Sequence, residues 1–175
     1  MRIRKRTVTV WGASALWALF ALGPLFSCGT PPAGEGEFTL LADSLGEVPM
    51  HPDALKLDSL ANACDGSMET RWTTVENMEP GFFIEMQFER PRKITGLVLN
   101  SKPSPNDFPR GFVVEVSRDG TDWEEAAAGG PKATKKGITT IKFDRPREVR
   151  HMLVTLNKAA PFWWSIYELE VKYAE

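Results

Sequence analysis

The second half of the chain is built from short hydrophobic runs in which apolar and polar residues alternate. Residues 82–88 read FFIEMQF and residues 112–116 read FVVEV, so that every second residue is apolar in each run. A period of two is typical of a β-strand with one buried face. Further strand-like runs follow at residues 93–99, 138–143, 149–156 and 165–173.

Turn-forming residues separate these runs. Arg90-Pro91-Arg92 and Arg145-Pro146-Arg147 predict turns, because proline cannot donate to a strand ladder. Asp119-Gly120 predicts a tight hairpin that returns through Trp123, and we expect that tryptophan to pack into the core. Gly129-Gly130-Pro131 predicts a polar loop. About seven short strands with almost no helix predict an all-β fold, an antiparallel two-sheet β-sandwich of the jelly-roll kind.

The pattern is weaker before residue 82. Residues 38–41 predict a short first strand, and the leucine-containing stretch 50–63 predicts one helical turn. Residues 28–36 are rich in proline and glycine, which is typical of a spacer. The folded part therefore corresponds to one domain of ordinary size at residues 37–175.

The first segment differs in character from the rest. A basic start at residues 2–6 is followed by an apolar stretch, Val8 to Phe26, which predicts a secretory signal peptide at residues 1–27. The alternative is a membrane-spanning helix, which needs about 20 apolar residues. Gly23-Pro24 would break such a helix near its end.

This segment ends in Leu25-Phe26-Ser27-Cys28, which resembles the lipobox of bacterial lipoproteins. The resemblance implies that Cys28 carries a lipid, which holds the exported domain at the bacterial cell envelope by the anchor alone. The alternative is ordinary signal cleavage beside an incidental cysteine. With Cys28 lipidated, Cys64 has no partner in the chain, so we expect no intramolecular disulfide.

Charge and residue inventory exclude several function classes. The chain has 21 Lys and Arg against 23 Asp and Glu, and four of the basic residues lie in the first segment. The remainder is mildly acidic, which argues against nucleic acid as a partner. His51 and His151 are the two histidines, no serine lies in a nucleophile elbow, and no cysteine pair has zinc-ligand spacing. We therefore expect a protein that is not an enzyme.

Three segments together resemble a known family. DGSMETRW at 65–72, VEVSRDGTDW at 114–123 and WWSIYELEV at 163–171 are similar, in order and spacing, to the factor V/VIII C-type or discoidin domain. The resemblance covers about residues 38–173 and is greatest to the family 32 carbohydrate-binding modules. It implies a discoidin-type β-sandwich that is a non-catalytic binding module, with carbohydrate as its ligand.

The resemblance also implies a structural calcium ion. In the family, the first of these segments binds calcium through backbone carbonyls, an Asp carboxylate and a Thr hydroxyl, and a Glu of the last strand closes the site. Calcium prefers such hard oxygen ligands. The alternative from the residues alone is a turn cap beside a core tryptophan. The corresponding metal ligands are Asp65, Ser67 through its backbone, Thr70 and Glu168.

The family binds its ligand in loops at one end of the sandwich. Here the loop KPSPNDFPR at 102–110 combines with the aromatic cluster that begins at Phe162, in which one of Trp163 and Trp164 is expected in the core. Aromatic faces stack on sugar rings, and planar polar groups bind sugar hydroxyls. The candidate ligand-binding residues are Arg71, Asn106, Asp107, Phe108, Arg110, Phe162 and Trp163.

Other interpretations of these loops stay open. Phe108 is equally compatible with a lead into the next strand, and Arg110 with an ion pair to a surface carboxylate. The partner that the resemblance favours is a glycan or polysaccharide. A protein of the cell envelope, bound by the same loops, is the alternative, and a membrane lipid is disfavoured by the acidic balance.

Overall fold

The computed structural model describes the strand at residues 38–44 and the continuous stretch 61–175. The predicted signal peptide and spacer, together with Cys28 and His51, lie outside the described residues. No helix in the described part is long and apolar enough to cross a membrane. The strands of this part are β1 (Phe38–Ser44), β2 (Trp72–Met78), β3 (Phe82–Asn100), β4 (Phe112–Ser117), β5 (Trp123–Gly129), β6 (Thr134–Lys135), β7 (Ile138–Leu156), β8 (Ala160–Ile166) and β9 (Glu168–Tyr173).

The strands pair antiparallel throughout. Strand β3 lies beside β1 through residues 82–88 and beside β9 through residues 94–100. Strand β7 pairs with β3 on both of these stretches and also pairs with β4 and β6. Strand β5 pairs with the other edge of β4. Strands β2 and β8 form a separate two-stranded ribbon. The predicted all-β, antiparallel two-sheet β-sandwich is confirmed.

The core is filled by alternate residues of the strands, as the sequence pattern predicts. Trp72 and Trp164 meet edge to face inside it, with 5.3 Å between ring centroids. Burial of a large apolar side chain contributes about 1.5–3 kcal/mol. The predicted buried positions are confirmed at Ile84, Met86 and Phe88 of β3 and at Phe112, Val114 and Val116 of β4.

The turns predicted at Pro91 and Pro146 are wrong. Both prolines lie inside 19-residue strands, β3 and β7, which pair with each other on either side of them. The register shifts between residues 87 and 92 of β3 and between residues 142 and 147 of β7. Each proline therefore falls in a bulge, where its missing N–H interrupts no ladder hydrogen bond.

One strand was not predicted, and one expectation about the hairpin is wrong. Strand β2 precedes residue 82, where the sequence pattern is weak; in the structure Val75 has a φ of +59° and the two residues that follow it are exposed. Trp123 does not join the core cluster of the described residues. It is half-buried beside His151, and its indole N–H donates to the carbonyl oxygen of Gly120 at 3.1 Å, which closes the predicted hairpin.

Cys64 corrects a further expectation. It follows the short 3₁₀ turn at 61–63 and is disulfide-bonded in the structure. The expectation that Cys64 has no partner is therefore wrong. That expectation depended on a lipid at Cys28.

Candidate functional site

Two loops meet at the end of the sandwich where β4 begins. One loop, residues 101–111, joins β3 to β4, and the other, residues 157–159, joins β7 to β8. The amide of Asn157 donates to the carbonyl oxygen of Gly111 at 3.1 Å. A Cβ on Gly111 would lie 2.3 Å from Oδ1 of Asn157 and 2.6 Å from Cγ of Lys158. Glycine at this position therefore lets the two loops pack directly against each other.

Asp107 ties the first loop to strand β8. Its Oδ2 accepts a hydrogen bond from the hydroxyl of buried Ser165 at 2.7 Å, and its backbone carbonyl accepts the amide of Ser165 at 3.0 Å. The same Oδ2 lies 3.5 Å from Nη1 of Arg71. Only 17% of the Asp107 side chain is exposed, so it positions its neighbours and offers little surface to a ligand.

Arg71 occupies the middle of this end of the sandwich. Its Nη1 donates to the hydroxyl of Ser104 at 2.8 Å and to that of Tyr167 at 3.4 Å. The guanidinium carbon lies 5.7 Å from the ring centroid of Trp163 and 5.8 Å from that of Tyr167. Trp163 is 38% exposed, whereas Trp164 is buried, which confirms that one of the two tryptophans lies in the core.

Arg110 makes a second contact between a guanidinium and aromatic rings. Its guanidinium carbon lies 3.6 Å from the ring centroid of Phe108 and 5.0 Å from that of Phe162, which is 36% exposed. Its Nη2 donates to the backbone carbonyl of Asn106 at 2.9 Å. Burial lowers the pKa of the Arg110 guanidinium, and the nearby carboxylate of Asp107 raises it.

The structure brings all seven predicted ligand-binding residues to this end of the sandwich, but in different roles. Phe162 and Trp163 are exposed, and the side chain of Asn106 is also exposed. Phe108 lies beneath Arg110, and Asp107 is half-buried. Sequence reasoning missed Ser104, Ser165 and Tyr167, although the first lies in the predicted loop and the others in the WWSIYELEV segment.

The four predicted metal ligands also come together. The amide of Ser67 and the hydroxyl of Thr70 donate to Asp65, at 2.8 and 2.6 Å, across a turn in which Gly66 has a φ of +78°. Burial raises the pKa of the Glu168 carboxyl, the amides of Gly66 and Ser67 lower it, and Asp65 raises it again. Asp65 and Glu168 are therefore close enough to interact electrostatically.

Glu168 has one carboxylate oxygen in an environment that a cation would stabilise. Its Oε1 is buried and accepts no hydrogen bond in the described part of the chain. Within that part, no three or more His, Cys, Asp and Glu side chains gather in a way that would hold a metal. A cation here would therefore need two carboxylates supplemented by hydroxyl or backbone oxygens, a donor set that suits calcium better than a transition metal.

A separate cleft of about 790 Å³ lies at the opposite end of β4. Two ion pairs lie among the residues that line it. Nη1 of Arg147 lies 2.9 Å from Oε2 of Glu124, and Arg118 pairs with Glu148. The cleft therefore contains several ion-paired side chains, whereas the exposed aromatic side chains Phe162 and Trp163 lie at the other end.

Comparison with known proteins agrees with this fold. The model of the F5/8 type C domain family matches residues 53–169. No curated protein sequence matches the chain. Among solved structures, the family 32 carbohydrate-binding module of Clostridium perfringens NanJ in complex with galactose has 19% identity and a TM-score of 0.59, over 77% of this chain and 92% of that chain.

Two further solved structures are similar. A Clostridium perfringens family 32 module in complex with GalNAc-β-1,3-galactose has 22% identity and a TM-score of 0.60, over 77% of this chain and 94% of that chain. Chitosan-binding module 1 of a chitosanase/glucanase from Paenibacillus sp. IK-5 has 23% identity and a TM-score of 0.56, over 76% and 92%. At these identities the similarity establishes the β-sandwich fold.

Proposed function

Because this chain belongs to the F5/8 type C domain family, we propose that it is a non-catalytic binding module that holds a carbohydrate at the loop end of the sandwich. The observation that carries the proposal is the pair of exposed aromatic rings, Phe162 and Trp163, each beside a guanidinium. Sugar rings present flat C–H faces that stack on aromatic side chains, while their hydroxyls need planar polar partners. Both kinds of group are present in one small area.

The extent of exposed apolar surface favours a sugar over an envelope protein. In the described residues the large hydrophobic side chains that are exposed are Met68, Phe162 and Trp163. These are only three side chains of the described residues, whereas a protein partner favours a contiguous apolar patch of several hundred Å². The named ligands of the similar structures, galactose, GalNAc-β-1,3-galactose and chitosan, support the same choice.

Replacing Phe162 with alanine is expected to weaken glycan binding about tenfold, since aromatic side chains are among the residues whose truncation costs most at binding surfaces. The measurement is a glycan-array screen of residues 37–175, followed by affinity titration of the best ligand. Trp123→Ala at the opposite end of β4 is the matched control and should leave the affinity unchanged. Equal binding by wild type and Phe162→Ala would place the site elsewhere.

We also propose that Asp65, Ser67, Thr70 and Glu168 hold a structural calcium ion. The unpaired buried Oε1 of Glu168 and the proximity of the Asp65 carboxylate support it, because two carboxylates repel each other without a cation between them. The residue after Thr70 is Arg71, so an ordered turn here also fixes the base of the loop-end site. Bound calcium would supply positive charge and order, and no chemical step.

The location that we propose is the bacterial cell envelope, with a lipid at Cys28. Cys28→Ser is expected to move the protein from the membrane to the soluble fraction of an expressing bacterium. Detergent partition and intact mass measure this, with Cys64→Ser as the control. An unlipidated wild-type mass would rule out the anchor.

A further inference from the structure

The charges around the exposed aromatic pair are unbalanced. The two loops, residues 101–111 and 157–159, carry Lys102, Arg110 and Lys158, and their one carboxylate is that of Asp107. This carboxylate is already engaged, since it pairs with Arg71 at 3.5 Å and accepts the hydroxyl of Ser165. The two loops therefore carry a net positive charge, although the formal net charge of the whole chain is −2.

Arg110 has unused hydrogen-bonding capacity. A guanidinium has five N–H donors in a planar fork, and the hydrogen bond of Arg110 to the carbonyl of Asn106 uses few of them. Arg110 forms no ion pair with any carboxylate of the described residues, in contrast to Arg71 and Arg147. Stacking on Phe108 at 3.6 Å restrains the side chain, so little further ordering is required when a ligand binds.

We propose that the ligand of this site is a glycan with an anionic substituent, a uronate carboxylate or a sulfate ester, which pairs with Arg110 while the sugar ring stacks on Phe162. The proposal rests on the proposed glycan-binding function. The guanidinium fork matches the geometry of both anionic groups. Phe162 lies 5.0 Å from the guanidinium carbon, within the span of one sugar residue. The side chain of Lys158 passes Gly111, the residue that follows Arg110.

The first test uses the unaltered protein and two pairs of polymers. Polygalacturonate is compared with its methyl ester, and a sulfated galactan with its desulfated form, by isothermal titration in low salt. We expect the anionic member of at least one pair to bind about tenfold or more tightly, because hydrogen bonds to charged groups are the stronger ones. The pair that shows the difference identifies carboxylate or sulfate as the group recognised.

The second test asks whether Arg110 is responsible. Arg110→Gln is expected to remove the preference for the anionic polymer, and Arg110→Lys to keep part of it, since a lysine keeps the charge and loses the fork. Arg150→Gln makes the same change in net charge at an exposed position on β7 and should change neither affinity. A melting temperature for each variant checks that the fold is retained.

The outcomes separate the two proposals. Equal binding of charged and neutral polymers by the unaltered protein overturns the anionic preference and leaves glycan binding in place. An anionic preference that Arg110→Gln retains overturns the assignment to Arg110. Absence of binding to all four polymers and to a neutral glycan array overturns both proposals.

Discussion

Replacing Asp107 with alanine is expected to abolish detectable glycan binding and to lower the free energy of unfolding by about 2 kcal/mol. The change leaves the hydroxyl of buried Ser165 without its charged acceptor, and it leaves the Arg71 guanidinium without its counter-charge. Loss of a hydrogen bond to a charged group costs about 1.5–3 kcal/mol. The ion pair adds little to this figure, because Arg71 is 32% exposed and solvent screens the attraction.

The effect on binding is larger than the effect on stability because Asp107 connects both halves of the site. Alanine keeps the backbone hydrogen bond of residue 107 to Ser165 but removes the side-chain bond that fixes the 101–111 loop on β8. It also removes the carboxylate that holds Arg71 from one side. Urea denaturation measures the first effect and affinity titration the second. Asp122→Ala removes the same charge from an exposed loop at the other end of β4 and should change neither. An Asp107→Ala protein that binds within threefold of wild type would contradict this role.

Calcium is expected to raise the melting temperature by about 10 °C over the protein in chelator. A ligand present at a hundred times its Kd stabilises by about 2.7 kcal/mol, and for a domain of this size about 1 kcal/mol corresponds to roughly 4 °C. The physical reason is the unpaired, buried Oε1 of Glu168 beside a second carboxylate. Thermal denaturation in calcium and in chelator measures the shift.

The stability of the Glu168→Gln variant is expected to differ from that of wild type in opposite directions with and without calcium. In chelator the neutral amide is expected to make the protein more stable than wild type, because it relieves the repulsion from Asp65 and the cost of a buried charge. In calcium the variant is expected to be less stable than wild type, because it lacks a ligand. Glu170→Gln, on the same strand but exposed and paired with Lys172, should behave like wild type in both buffers. If the melting temperature of the wild-type protein does not change when calcium is added, the calcium site is excluded.

Most of the sandwich could be predicted from alternation, because burial on one face imposes a period of two that residues such as Met86 and Val114 display. The continuous 19-residue strands β3 and β7 could not be predicted from alternation. Pro91 and Pro146 are locally indistinguishable from turn residues, and only pairing with the other strand reveals that each lies in a bulge. Strand β2 was missed for a related reason, since the positive φ of Val75 interrupts the alternation that identifies a strand.

The site could be predicted as a set of residues and not as a set of roles. Arg71 and Arg110 have the same chemistry in the sequence. The structure distinguishes them, since Arg71 is bound by residues 33 and 96 positions away, Ser104 and Tyr167, whereas Arg110 contacts near neighbours and Phe162. Contacts over such separations depend on how the loops fold together, and no local pattern reports them.

Strands β3 and β7 pair with each other along most of their length, and every other strand of the seven-stranded sheet except β5 pairs with one of these two. Neither half of this sheet can therefore detach while the other persists, and the domain should lose its structure in a single cooperative transition. Slowly exchanging amides should be found along the whole length of β3 and β7 at similar protection, since both halves open only together. The pairing joins residues far apart in sequence, such as Phe83 and Thr155, so folding should be slow for a chain of this length. Exposed loop residues of the binding surface, such as Asn106, can then vary in sequence without altering how the domain folds.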